Sequence, residues 1–234
     1  MPVNHAEVGV KVWGEYALFT RPEFKSERVS YQVITPSAAR GLLEAIFWKP
    51  QIRYEIRRIG VLRLGTFTTI LRNEIEQRQG TRPIFVEDVR QQRASLVLKD
   101  VAYLIHAEIV PQPWEKEPVV KYLDQFTRRL LRGQYHHTPY LGTREFSCAF
   151  EPPDEETPDP ALNLDLGLML FDIAYVPSRE RRELEFIRHT PQGPERTSGY
   201  AQALFFPAKI ESGWLTVPPE KYRELARLEE RADV

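Results

Sequence analysis

Two places in the chain hold histidines where they could move protons. His106 and Glu108 stand two apart in the run Val101-Ala-Tyr-Leu-Ile-His-Ala-Glu-Ile-Val110. That composition predicts a strand, and strand periodicity points both side chains to one face, where the carboxylate could raise the basicity of the imidazole. His136 and His137 stand side by side in Gly133-Gln-Tyr-His-His-Thr138, just after Arg128, Arg129 and Arg132. An imidazole serves as general base or acid near neutral pH. Breaking a phosphodiester by attack of its neighbouring hydroxyl needs a base for that hydroxyl, positive charge for the pentavalent phosphate and an acid for the leaving oxygen. Both clusters offer those types. The competing structural explanation for His106 and Glu108 is a satisfied surface pair.

Other chemistries drop out. His136 and His137 lack a third ligand at metal-binding spacing, since His5 and His189 are far away in sequence, so no metal is expected. Cys148 is the single cysteine, which rules out an internal disulfide and a cysteine cluster and suits a small buried hydrophobe. There is no glycine-rich phosphate loop, zinc spacing or serine nucleophile elbow, and no cofactor is expected.

The elements that must position these residues follow from periodicity. Val8 to Phe19 alternates as a strand. Thr35 can cap a helix and Pro36 fits its first position, Leu42, Leu43, Ile46 and Phe47 form its apolar stripe, and Pro50 forces the exit. Ile52, Tyr54 and Ile56 alternate with Arg53, Glu55 and Arg57 as a second strand. Residues 65 to 95, without clear periodicity, are expected as an insertion. Val101 to Val110 is the third strand, Pro118 to Arg132 a second helix ended by Gly133, and Leu141 to Phe150 the fourth strand. The order β-α-β, insertion, β-α-β predicts an α+β, ferredoxin-like domain over 1–150, with both helices on one face and the other face open. An acidic, proline-rich linker at 151–160 follows. Residues 161–234 are expected as a smaller antiparallel β-rich unit, with strands at Leu164 to Tyr175, Leu184 to His189 and a hairpin over Leu204 to Val217 turning at Glu211-Ser-Gly213, then a polar tail.

The net charge is −1 over 234 residues, but its distribution matters more than the sum. Between Arg53 and Lys99 stand ten basic and five acidic residues, whereas acid gathers in Glu151-Pro-Pro-Asp-Glu-Glu-Thr-Pro-Asp-Pro160. The basic stretch is a solvated face or an anion-binding one. No apolar run approaches the roughly 20 residues needed to span a bilayer, and no secretory signal opens the chain, so a cytoplasmic protein is expected with no membrane partner.

As a set, Val12-Trp-Gly-Glu-Tyr-Ala-Leu-Phe-Thr20, Ser26-Glu-Arg-Val-Ser-Tyr31, Pro36-Ser-Ala-Ala-Arg-Gly-Leu-Leu-Glu-Ala-Ile46 with Trp48-Lys-Pro50, Leu141-Gly-Thr-Arg-Glu145 and Asp165-Leu-Gly-Leu-Met169 resemble the RAMP-type Cas-five family of type I-C CRISPR systems. The resemblance implies an RNA-recognition fold with a C-terminal β-rich extension and metal-independent cutting of CRISPR repeat RNA. It further implies retention of the 5′ handle beside the other subunits of a surveillance complex, with duplex DNA a further candidate partner. The family carries a tyrosine or histidine before the Trp/Tyr-Lys-Pro corner and a Lys-x-His pair on the third strand. Here Phe47 stands at the first place, and His106 and Glu108 at the second. On that reading the catalytic candidates are His106, oriented by Glu108, and then His136 and His137. The RNA-contact candidates are Tyr16 and Trp48 for bases and Arg21, Arg28, Arg40, Lys49 and Arg144 for phosphates. A subunit that grips the handle without cutting, and a ferredoxin-like assembly protein without a nucleic-acid role, are the alternatives.

Overall fold

The structure, a computed structural model, describes residues 5–24, 27–75, 80–81 and 83–230. It is an α+β chain whose strands join in one mostly antiparallel sheet. β1 (Ala6–Ala17) leads through the two-residue β2 (Arg28–Val29) to α1 (Pro36–Ile46). The cap forms as the sequence predicts: the Thr35 hydroxyl accepts from the Ala38 N–H at 3.2 Å, Pro36 opens the helix, and Phe47 is already extended. Leu42, Leu43 and Ile46 are buried, each contributing about 1.5–3 kcal/mol.

β3 (Ile52–Arg63) runs on into β4 (Thr66–Ile75), and after the single turn of α2 (Val86–Val89) the chain returns as β5 (Arg90–Pro111). The stretch expected as an aperiodic insertion is therefore a hairpin arm, with Phe67, Leu71 and Arg72 opposite Leu98, Ala94 and Arg93. Its alternation is hidden because Thr68, Arg72 and Glu74 share the less exposed face with Ile70, while Phe67, Leu71 and Ile75 face outward. Gly65 and Asp100, both at positive φ, mark where the arm bends away from the core. Arg78, counted in the basic stretch, and Arg82 lie outside the described residues.

α3 (Val120–Leu131) and β6 (Ala149–Glu151) complete the first half, giving the strand order β6-β1-β5-β3 with α1 and α3 on one face, the ferredoxin-like arrangement. The strand expected over Leu141 to Phe150 shrinks to β6 and an isolated bridge between Tyr140 and Ser147. Gly142 is the cause: at φ 88° it turns the chain so tightly against β1 that a Cβ there would stand 2.0 Å from the Leu18 carbonyl oxygen.

The sheet continues through β10 (Trp214–Thr216) into β9 (Gly193–Glu211) and β7 (Leu164–Pro177), with β8 (Leu184–Thr190) paired to β9. Ser212 and Gly213, both at positive φ, make the expected turn. The polar tail is a helix, α4 (Pro219–Glu229), whose Tyr222 packs on Phe171 and whose hydroxyl accepts from the Ile56 N–H at 2.6 Å. β7 also lies against α1, held by Arg40.

The face opposite α1 and α3, expected to be open, is covered. Residues 151–160 cross it as a strap. Lys11 holds Glu151, Asp154 and Glu156 at 3.3, 2.5 and 2.7 Å. Pro153 presses on Gly9, and the buried Pro158 packs over Gly60 and Trp214. Two glycines, on the strands that flank β5, make the shallow bed that the proline rings need.

Candidate active site

The two histidine clusters fall on opposite sides of the sheet. His106 sits between Gly9 and Arg58 in register, on the strap-covered face. Its ring lies 5.4 Å from that of Trp214, which also carries the Arg58 guanidinium at 4.1 Å, and Pro153 is close above. Burial and then the Arg58 charge push the His106 pKa below its ordinary value. The expected orienting role of Glu108 is corrected by the geometry. Its carboxylate accepts from Arg57 at 2.6 Å and lies 3.7 Å from His5, and Arg57 holds it below the usual carboxylate range. Glu108 thus belongs to an ion-pair group with Arg57 and Glu55.

His136 and His137 sit at the carboxyl end of α1. Backbone carbonyls at a helix end lack partners within the helix. Here the Ala45 oxygen accepts from the His136 and His137 N–H groups at 2.7 and 3.4 Å, and the Ile46 oxygen accepts from Arg129 at 2.9 Å. The Arg129 guanidinium lies 5.6 Å over the Phe47 ring. Both imidazoles are exposed, the His137 ring stacks on Tyr140 at 6.2 Å, and the exposed Arg128, Arg132 and Lys49 carry no ion pair among the described residues. α1 and α3 meet so that this one corner gathers two exposed imidazoles, of which His137 Nδ1 lies 3.4 Å from the Thr138 oxygen, one committed arginine and several cations without an ion pair among the described residues, the inventory needed for metal-free phosphodiester cleavage.

The expected RNA contacts scatter. Trp48 and Lys49 lie at this corner, both exposed, with the His189 ring 5.3 Å from Trp48. Arg40 is corrected: Asp172, buried on β7, holds its guanidinium at 2.8 and 2.9 Å, and Glu44 holds it at 2.8 Å, so it clamps α1 to β7. Arg21 pairs with Glu23 and lies over Tyr31, and Arg28 faces Glu74 at 3.4 Å. Tyr16 packs on Phe146 at 5.8 Å, while Arg144 is exposed without an ion pair among the described residues. Sequence reasoning missed Trp114, Tyr140 and His189. Only the topology brings them to α1.

A ferredoxin-like core extended by a second run of antiparallel strands defines the class. The profile of the family described as CRISPR-associated protein (Cas_Cas5), the Cas5d branch, matches residues 8–218. The chain belongs to that family. It is 66% identical over 225 residues to the CRISPR pre-crRNA endoribonuclease Cas5d of Thermus thermophilus, covering 96% of this chain and 97% of that one. It is 38% identical to the protein of the same name from Mannheimia succiniciproducens, covering 94% and 98%. A solved structure titled as a CRISPR-associated protein shares the fold at TM-score 0.62 and 23% identity, over 92% of this chain and 93% of that one.

Proposed function

We propose that the chain is a metal-independent endoribonuclease that cuts CRISPR repeat RNA in the cytoplasm and keeps the 5′ handle as a subunit of a type I-C surveillance complex. The observation that carries this reading is the exposed His136–His137 pair, hung from the end of α1 beside Arg129 and uncommitted cations. One imidazole takes the proton of a 2′-hydroxyl. The freed oxygen attacks phosphorus, and the bond to the 5′-oxygen breaks as the other imidazole, protonated, gives that oxygen its proton. The products are a 2′,3′-cyclic phosphate and a 5′-hydroxyl. Arg128, Arg132 and Lys49 stabilise the charge that builds on the phosphate. Membership of the family and near-full-length similarity to two proteins named as pre-crRNA endoribonucleases support the substrate.

Incubating the full chain with its own repeat RNA in EDTA should release the cyclic-phosphate product. Replacing His136 and His137 together by alanine should stop cutting while leaving binding within a few fold. Uncut RNA under binding conditions would leave the second reading, a handle-binding subunit without catalysis. Phe47 favours that reading, because its buried ring offers no hydroxyl or imidazole to the corner.

A further inference from the structure

The catalytic reading leaves unused a cleft of about 760 Å³ that opens on the far side of Trp48. Its walls come from the start of β3, the loop after β5, the β8 strand and α4. Three features set its chemistry. Trp48 is 40% exposed with His189 edge-on against it, Trp114 borders the same space, and Tyr175 is 46% exposed beside Phe186. The acceptors are carboxylates: Glu185 stands exposed on β8 and forms no ion pair among the described residues, whereas Glu44 is already held by Arg40. Two arginines share the lining: Arg53, paired with Glu55 at 2.9 Å, and Arg188 on β8, which forms no ion pair among the described residues.

Aromatic walls with four carboxylates, those of Glu44, Glu185, Glu229 and Glu230, against two arginines disfavour a phosphate. They suit a flat ring that presents N–H donors. Trp48 joins the cleft to the corner that holds His136 and His137, because Lys49, Phe47 and Ala45 are its chain neighbours. An RNA strand lying at that corner therefore has a place for a base within a nucleotide or two of its phosphates.

Building on the assignment of that corner, we propose that the cleft receives one unpaired, flipped-out nucleobase of the bound RNA, a base with an exocyclic amine, stacked among Trp48, Trp114 and His189 with its amine directed to Glu185. Adenine, cytosine and guanine carry that group. Uracil offers a carbonyl there and is disfavoured.

The test uses the full chain and the already-cut 5′-handle RNA, so affinity is read apart from cutting. Each unpaired nucleotide is replaced in turn by an abasic residue, and the series is bound to the parent and to Trp114→Ala, with thermal melts checking the fold. Base–aromatic stacking is worth about 1–3 kcal/mol, so Trp114→Ala should weaken binding by about tenfold. One abasic position should reproduce that loss in the parent and add nothing in Trp114→Ala. Uridine at that position should also weaken binding, and Glu185→Gln should narrow the discrimination. Tyr175→Ser, on β7, replaces Trp114→Ala if the latter unfolds. Parental affinity in these variants, or losses that multiply at every abasic position, overturns the proposal. So does unchanged RNA binding with loss of a protein partner, which would make the cleft a peptide site. Cutting by the parent without the shared loss defeats the cleft alone. The shared loss without any cutting defeats only the catalytic reading.

Discussion

The strap-covered face and the α1 corner each present histidine and arginine, yet they differ in every property that a substrate would meet. On the covered face, His106 is half-buried beneath a segment carrying Glu151, Asp154, Glu155, Glu156 and Asp159, a charge that repels a phosphate backbone. At the corner, His136 and His137 are exposed beside cations that form no ion pair among the described residues. A strand fixes an imidazole against its neighbours, whereas a loop hung from a helix end offers one outward. The contrast predicts which histidines a phosphodiester can reach.

The largest expected effect breaks or upholds that contrast directly. General acid–base groups contribute about 10²–10⁴-fold to a rate. His136→Ala with His137→Ala should lower single-turnover cutting of repeat RNA by about 10²-fold or more, while His106→Ala stays within a few fold of the parent. The reverse ranking would move the chemistry to the covered face and require the strap to lift.

Arg40 sharpens the comparison from the side of stability. Asp172 is 4% exposed, and its carboxylate loses both guanidinium bonds in Arg40→Ala. The Ile173 N–H still bonds one oxygen at 2.8 Å, but a buried carboxylate stripped of its charged partner costs about 2 kcal/mol, read as a lower urea midpoint. Handle-RNA affinity should hold, because the guanidinium is not available to phosphate. A salt-sensitive drop in RNA affinity at unchanged stability would return Arg40 to the interface.

Much of the fold was legible because local signals agreed. Thr35, Pro36 and the apolar stripe specified α1, and Gly133 marked the end of α3. The covering of the sheet was not legible. A run of five acids and four prolines in ten residues reads as solvated, and nothing local says that Gly9 and Gly60, far apart in sequence, form a bed for Pro153 and Pro158. At the site, the Glu108–His106 coupling was inferred from spacing alone, but the cross-strand Arg57 competes for that carboxylate. α4 hid for a related reason. Only Tyr222 of its residues is fully buried, so its apolar signal was thin.

The smallest effect concerns the protons of the covered face. Burial comes first and Arg58 second in lowering the His106 pKa, and Glu7 opposes them weakly. The folded protein thus binds a proton at His106 less readily than the unfolded chain does. Stability from this residue is complete above the ordinary histidine value of 6.5 and declines as pH falls through it toward the depressed folded value. Urea unfolding between pH 7.5 and 5 should show a steeper decline for the parent than for His106→Gln. Pro153→Gly, which thins the strap over the ring, should move the titration of the His106 ring protons in NMR upward toward the ordinary value. An unshifted titration in Pro153→Gly would mean that Arg58 and Trp214, rather than the strap, keep this imidazole neutral, and the two faces would then differ by their own strands alone.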